Sequence, residues 1–241
     1  MSKLVTFLVL IFCIVPFNQA ESLSDTDILR RADIATGAYV GGLRWHIDMT
    51  STDNNGRVEG QTLEVKTADD NWVAETLTPL RARGQKLLMI GRNMWFTKPN
   101  LRKPVPISIR QRLAGGASNG DVASTNYARD YEPTRLNDDV IDGYTCYVFD
   151  LTATEKVVTY DKVKYWIRQD KNLGIKAEFY SRSGKLLKAA SFSYENIIDV
   201  NGNMLPFISE MTIEDKLTGA MTKFNYSEIV VEEIPASTFR F

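Results

Sequence analysis

Histidine is almost missing from this sequence. His46 stands alone in 241 residues, and cysteine occurs only twice, as Cys13 and Cys146. A chain so poor in imidazole and thiol has few ligands for a transition metal, and no His/Cys/Asp/Glu cluster has metal-ligand spacing. The paired acids Asp69-Asp70 and Asp138-Asp139 read as turn residues, not as a calcium loop. A nucleophile–base dyad would have to join Cys146 to His46. His46 falls on the polar face of a strand, and nothing in the sequence brings the two together. Gly115-Gly116 and Asn119-Gly120 supply a flexible loop without the terminal lysine of a phosphate-binding loop. No catalytic residue, metal or cofactor is assigned, and the chain is expected not to be an enzyme. Charge of one sign is also lacking: 29 Lys and Arg face 30 Asp and Glu, a net charge of −1. Such a chain has no global field to hold a polyanion, so nucleic acid is excluded as a partner.

Long apolar runs are scarce too. The one that exists, Leu4 to Phe17, follows Lys3 and precedes Asn18-Gln19-Ala20. That is the order of a secretory signal cleaved near Ala20, and the run is short for a spanning helix. Phe12 before Cys13 argues against lipidation there. Residues 21–241 are then expected to form a single domain in the periplasm, with a net charge of −2 once Lys3 is removed. Cys146 is left without a partner for a disulfide, and its apolar surroundings make it a buried small residue.

What the sequence has is alternation. Leu43, Trp45, Ile47 and Met49 alternate with Arg44, His46, Asp48 and Thr50, the pattern of a strand with one apolar and one wet face. Similar runs recur at 61–67, 72–77, 86–91, 93–97, 145–151, 162–168, 175–180, 185–194, 205–214 and 220–231, separated by Asn, Asp and Gly turns. About eleven strands without a βαβ alternation predict a large antiparallel sheet, curved or nearly closed. One helix is expected near the mature N-terminus, capped by Ser24 or Asp25, with Ile28, Leu29, Ala32 and Ile34 on its apolar side. The stretch from Pro104 to Tyr131 breaks the rhythm, with a short helix expected at Ser108 to Leu113. A long irregular insertion of this kind often serves as a lid or binding loop. It overlaps the acid-free run Met94 to Gly116, in which Lys98, Arg102, Lys103, Arg110 and Arg112 stand.

Several long stretches resemble the LolA-like family of outer membrane lipoprotein-sorting proteins. They are Gly84 to Leu113, Asn119 to Tyr127, Tyr160 to Trp166, Ala177 to Leu187 and the ending Ile234 to Phe239. The resemblance spans about Asp27 to Phe241. It implies a half-open antiparallel β-barrel whose concave side is covered by short helices. It also implies a carrier that holds the acyl chains of a lipoprotein, lipid or other amphiphile, working with an RND- or MMPL-type inner-membrane exporter. A sensor or adaptor that binds a membrane-anchored protein is the alternative.

On that reading the alternation assigns faces. Trp45, Ile47 and Met49 line the cavity with Leu63 and Val65, Leu87 and Met89, Trp95, Tyr165 and Ile167, and Ala177 and Phe179. Ile28, Leu29, Ile107, Ile109 and Leu113 form the lid. Arg102, Lys103, Arg110 and Arg112 meet head groups or a partner protein. The protein is expected to be a monomer. A slip of one residue in any strand would invert its set.

Overall fold

The computed structural model describes residues 23–38, 41–123 and 126–240, and the expected secretory leader lies outside them. Helix α1 (Asp25–Ile34) comes first, then β1 (Leu43–Thr52), β2 (Val58–Ala68), β3 (Asn71–Thr78), β4 (Lys86–Ile90), β5 (Asn93–Thr97) and β6 (Val105–Ile107). A covering segment follows: β7 (Arg112–Ala114), β8 (Ala117–Ser118), α2 (Asn119–Val122) and α3 (Tyr127–Asp130). The second half holds β9 (Tyr131–Arg135), β10 (Asp139–Ile141), β11 (Tyr144–Ala153), β12 (Lys162–Arg168), β13 (Leu173–Tyr180) and β14 (Leu186–Ser193). It closes with β15 (Asn196–Val200), β16 (Asn203–Phe207), β17 (Glu210–Asp215) and β18 (Met221–Val231).

Fourteen of these strands make one antiparallel sheet, in the order β10-β11-β12-β13-β14-β17-β18-β1-β2-β3-β4-β5-β6, with β9 on β11. Its end strands do not pair with each other, so the barrel is half open. Strands β15–β16 and β7–β8 form two small separate pairs. The strand count exceeds the eleven read from sequence for a local reason. The extra strands are mostly two to five residues long, too short to show a period, and the expected strand at 205–214 is broken between β16 and β17.

Cross-strand register explains the core. One concave row runs Trp45, Val65, Ala74, Leu87 and Phe96 across β1 to β5. Another runs Phe149, Tyr165, Ala177, Ala190 and Ile213 across β11 to β17. Trp45, Ile47, Tyr165 and Phe149 are fully buried there. Each such side chain stabilises the fold by roughly 1.5–3 kcal/mol through burial.

Helix α1 lies across this face. The Ser24 hydroxyl accepts from the Asp27 amide at its N-terminus, satisfying one orphan donor. Ile28, Leu29 and Ala32 are buried as expected, but the fourth buried position is Asp33, while Ile34 is only partly covered. The expected helix at Ser108 to Leu113 does not form. Residues 108–111 make a turn and Arg112–Ala114 is strand β7, because Ile107, Ile109 and Leu113 follow an extended rather than a helical path over the core.

Candidate functional site

The concave face and its cover form one continuous apolar interior. Trp45, Ile47, Met49, Leu63, Val65, Tyr165, Ile167, Ala177 and Phe179 are buried in the same cluster as Ile28 and Leu29. Leu87, Met89, Ile107, Ile109 and Leu113 are partly buried and pack against it. The sequence-based cavity and lid sets are therefore in contact, with one exception. Trp95 pairs with Leu88, which packs with Val73, Ile234 and Phe239 on the convex side, so Trp95 lies outside the buried cluster, although it borders the cleft beside Ile107 and Ile109. The concave residues of β5 are Met94 and Phe96. The run Met94-Trp-Phe96 is apolar in every position, so alternation could not choose the face.

The interior is nearly filled. A cavity of about 90 Å³ remains between Met89, Ile109, Tyr127, Tyr160, Tyr165, Phe179 and Met211. Two clefts flank the covering segment. One of about 310 Å³ lies among Met94, Ile107, Ile109, Val157 and Val158, and one of about 240 Å³ among Leu63, Ala74, Leu87, Phe96, Ile107 and Leu113. The three voids follow the line of residues 107–113, where the cover meets the sheet.

Polar groups fasten the cover. Asp33 Oδ2 accepts from the Ala128 amide at 2.8 Å, joining α1 to α3. Its Oδ1 is buried without a partner, and burial pushes the Asp33 carboxyl up to about 7. Asp130 accepts from Arg92 Nη2 at 2.8 Å and Arg129 Nε at 2.7 Å. Burial raises the Asp130 carboxyl, but the bonds from Arg129 and Arg92 outweigh it and hold it below the usual range. Arg129 also pairs with Asp70 in the β2–β3 turn. Farther along, the Gly116 amide donates to Thr222 Oγ1, and Asp121 pairs with the buried Lys188 at 2.9 Å. Nothing in the sequence marks Asp33 or Asp130, and the Ser118-x-x-Asp121 spacing marks only a capping box at the start of α2, not the partner on β14. The partners they reach on other elements lie far away in the chain, so only the fold reveals them.

The basic run divides. Arg110 donates to the Val158 carbonyl at 2.8 Å and pairs with Asp161 at 3.1 Å, so it fastens the loop before β12 instead of standing free. Lys98, Arg102, Lys103 and Arg112 are exposed, and among the described residues none forms an ion pair.

The remaining chemical candidates lie apart. Cys146 is buried on the convex side with Val148 and Trp166, and burial pushes its thiol up. His46 sits 3.3 Å from Glu228 and 3.7 Å from Glu64 on the outer face of β1. Five strands separate β1 from β11, so the two residues form no dyad. Among the described residues, no group of three or more His, Cys, Asp or Glu is arranged to hold a metal ion.

A half-open antiparallel barrel with an apolar concave face under a short-helix cover defines a class of binding fold. The chain belongs to the LolA superfamily. It is 31% identical to a LolA superfamily protein from Nitrosomonas europaea, over 91% of this chain and 99% of that one, with a TM-score of 0.80. A domain described as an outer membrane lipoprotein-sorting protein, from Vibrio parahaemolyticus, shares the fold at 19% identity, with 89% and 95% coverage and a TM-score of 0.76. A DUF1329 family protein from Desulfovibrio piger does so at 19% identity, with 89% and 95% coverage and a TM-score of 0.75. A family model described as "Uncharacterized protein" matches residues 68–241. No curated protein matches the chain in sequence.

Proposed function

We propose that the protein is a non-catalytic periplasmic carrier that holds the acyl chains of a lipoprotein, lipid or other amphiphile beneath the covering segment. The observation that carries this reading is the line of voids under residues 107–113. The central cavity of about 90 Å³ is well below the roughly 300–1,000 Å³ of a ligand pocket. It becomes one groove with the flanking clefts when Ile107, Ile109 and Leu113 swing away. Exposing a chain of ~14 methylenes to water costs roughly 11 kcal/mol as an upper bound, at about 0.8 kcal/mol per CH₂. A dry groove offsets most of that, and a cover that refills the groove returns part of it at release.

The same reading takes residues 21–241 as one exported, monomeric domain, its leader being the apolar run Leu4 to Phe17. An RND- or MMPL-type exporter is the partner that the family resemblance implies. The exposed cations Lys98, Arg102, Lys103 and Arg112 are the surface proposed to meet head groups or that partner. Mass spectrometry of protein purified gently from its native envelope should find acyl-bearing molecules. Their consistent absence, together with no uptake of a fluorescent fatty acid, would sink the proposal. A stable crosslink from Arg112 to one protein partner, without lipid, would favour the sensor reading instead.

A further inference from the structure

Lysine is a costly residue to place on the inner face of a barrel. Strand β14 nevertheless turns Lys188 inward, in the same row as Leu151, Val163 and Phe179. Its exposure is 8%. Nζ lies 2.9 Å from Asp121 Oδ2, 2.6 Å from Ser118 Oγ and 5.5 Å from the centre of the Tyr160 ring. The Tyr160 hydroxyl donates to Asp121 Oδ1 at 2.6 Å, and the Ser118 amide donates to Oδ2 at 2.7 Å. The other nearby acid, Asp215, stands opposite Lys188 in the register, but its Oδ1 accepts from the Leu217 and Thr218 amides. The carboxylate that pairs with Lys188 thus comes from the cover itself.

A buried ion pair is a poor way to add stability, since an apolar residue of similar size serves as well or better. It has a different use when one member can leave. Tyr160 is held to the barrel wall by stacking on Phe179 at 4.3 Å, and its backbone carbonyl accepts from Tyr131. Lys188 belongs to the central sheet. If α2 lifts, these two stay behind as a cation and a hydroxyl donor, facing an apolar cavity that Asp121 now borders together with Tyr165, Phe179 and Met211.

We infer that Lys188 and Tyr160 form an anion site for the carboxylate of a long-chain fatty acid, and that Asp121 occupies this site as an internal surrogate while the cover is closed. The acyl tail then runs past Phe179 and Tyr165, which line the same cavity. Cargo and cover compete for one cation as well as for one groove. The inference rests on the carrier reading and specifies its ligand.

Binding of anthroyloxy-labelled palmitate and of its methyl ester to the full mature chain tests it. The wild type should prefer the acid by about tenfold or more, the scale of a hydrogen bond to a charged group. Lys188→Met should abolish that preference while keeping ester binding. Lys188→Arg should keep it, and Asp121→Asn should strengthen acid binding more than ester binding. An acid-to-ester ratio near one in the wild type overturns the inference while leaving the carrier reading intact. So does an unchanged ratio in Lys188→Met. If that variant fails to fold, the wild-type ratio and Asp121→Asn decide. Binding of neither ligand overturns the carrier reading itself.

Discussion

Replacing Asp33 by asparagine should make the fold more stable at alkaline pH and reverse or erase that gain in acid. Asp33 is 2% exposed, and only one of its carboxylate oxygens has a partner. Burial lifts its carboxyl from an ordinary 3.8 to about 7. The folded state therefore holds the proton more tightly than the unfolded chain does. The stability from this group is fully present below pH 3.8 and is lost as pH rises through about 7. At about 1.4 kcal/mol for each tenfold change in proton affinity, the ionised group costs the fold about 4 kcal/mol at pH 8. The amide side chain of Asp33→Asn carries no charge, and its carbonyl oxygen can still accept from the Ala128 amide. Its NH₂ would stand where Oδ1 has no partner, at a cost of roughly 1–3 kcal/mol. The net expectation is a gain of about 1–3 kcal/mol at pH 8 and a loss of about 0–2 kcal/mol near pH 4.5, where ionisation already costs the wild type about 1 kcal/mol. Urea unfolding followed by far-ultraviolet circular dichroism at both pH values measures the two differences. Other titrating groups cancel between variant and wild type. A difference that stays constant across this range would refute the assignment of the titration to Asp33.

Four other outcomes follow from the packing. A Cβ at Gly120 would lie 2.0 Å from Thr159 Oγ1, so Gly120→Ala should loosen α2 and cost about 1–3 kcal/mol. Naphthalene-sulfonate dye binding should rise, and adding Thr159→Ala should restore both stability and low dye binding. The Cys146 thiol should resist an aromatic disulfide reagent in the native state and react only on unfolding, and prompt native reaction would contradict its burial. Trp45→Ala should lose roughly 3–5 kcal/mol on thermal or urea unfolding. Trp95→Ala, at a half-buried position, should lose less in the same unfolding measurement.

Strand β1 is legible because each of its inward residues, Leu43, Trp45, Ile47 and Met49, alternates with a polar one. The same rule fails at β5, where Trp95 lies between two apolar neighbours and only the pairing with Leu88 fixes its face. Helix α1 is legible from Ser24 and its apolar spacing, but Asp33 is hidden. A carboxylate is placed outside by pattern reasoning, and here it is held inside by α3. The cover is recognisable as irregular from its prolines and glycines. Its course at Ser108 to Leu113 is not, because alternate apolar residues on a one-sided surface path imitate part of a helical face. Lys188 sits among Leu186, Leu187, Ala189 and Ala190, and nothing local marks it. Its meaning depends on Asp121, which is 67 residues away.

An open barrel has two bare margins, and each is a template on which another chain could pair. In this protein both margins carry proline. Pro106 lies within β6 and Pro133 within β9, each removing one amide donor from its strand. Pro104 stands immediately before β6. The opening needed for a removable cover can thus exist without inviting strand exchange between neighbouring molecules. Pro104 and Pro106, which break the sequence rhythm ahead of the cover, also keep the sheet from growing beyond β6.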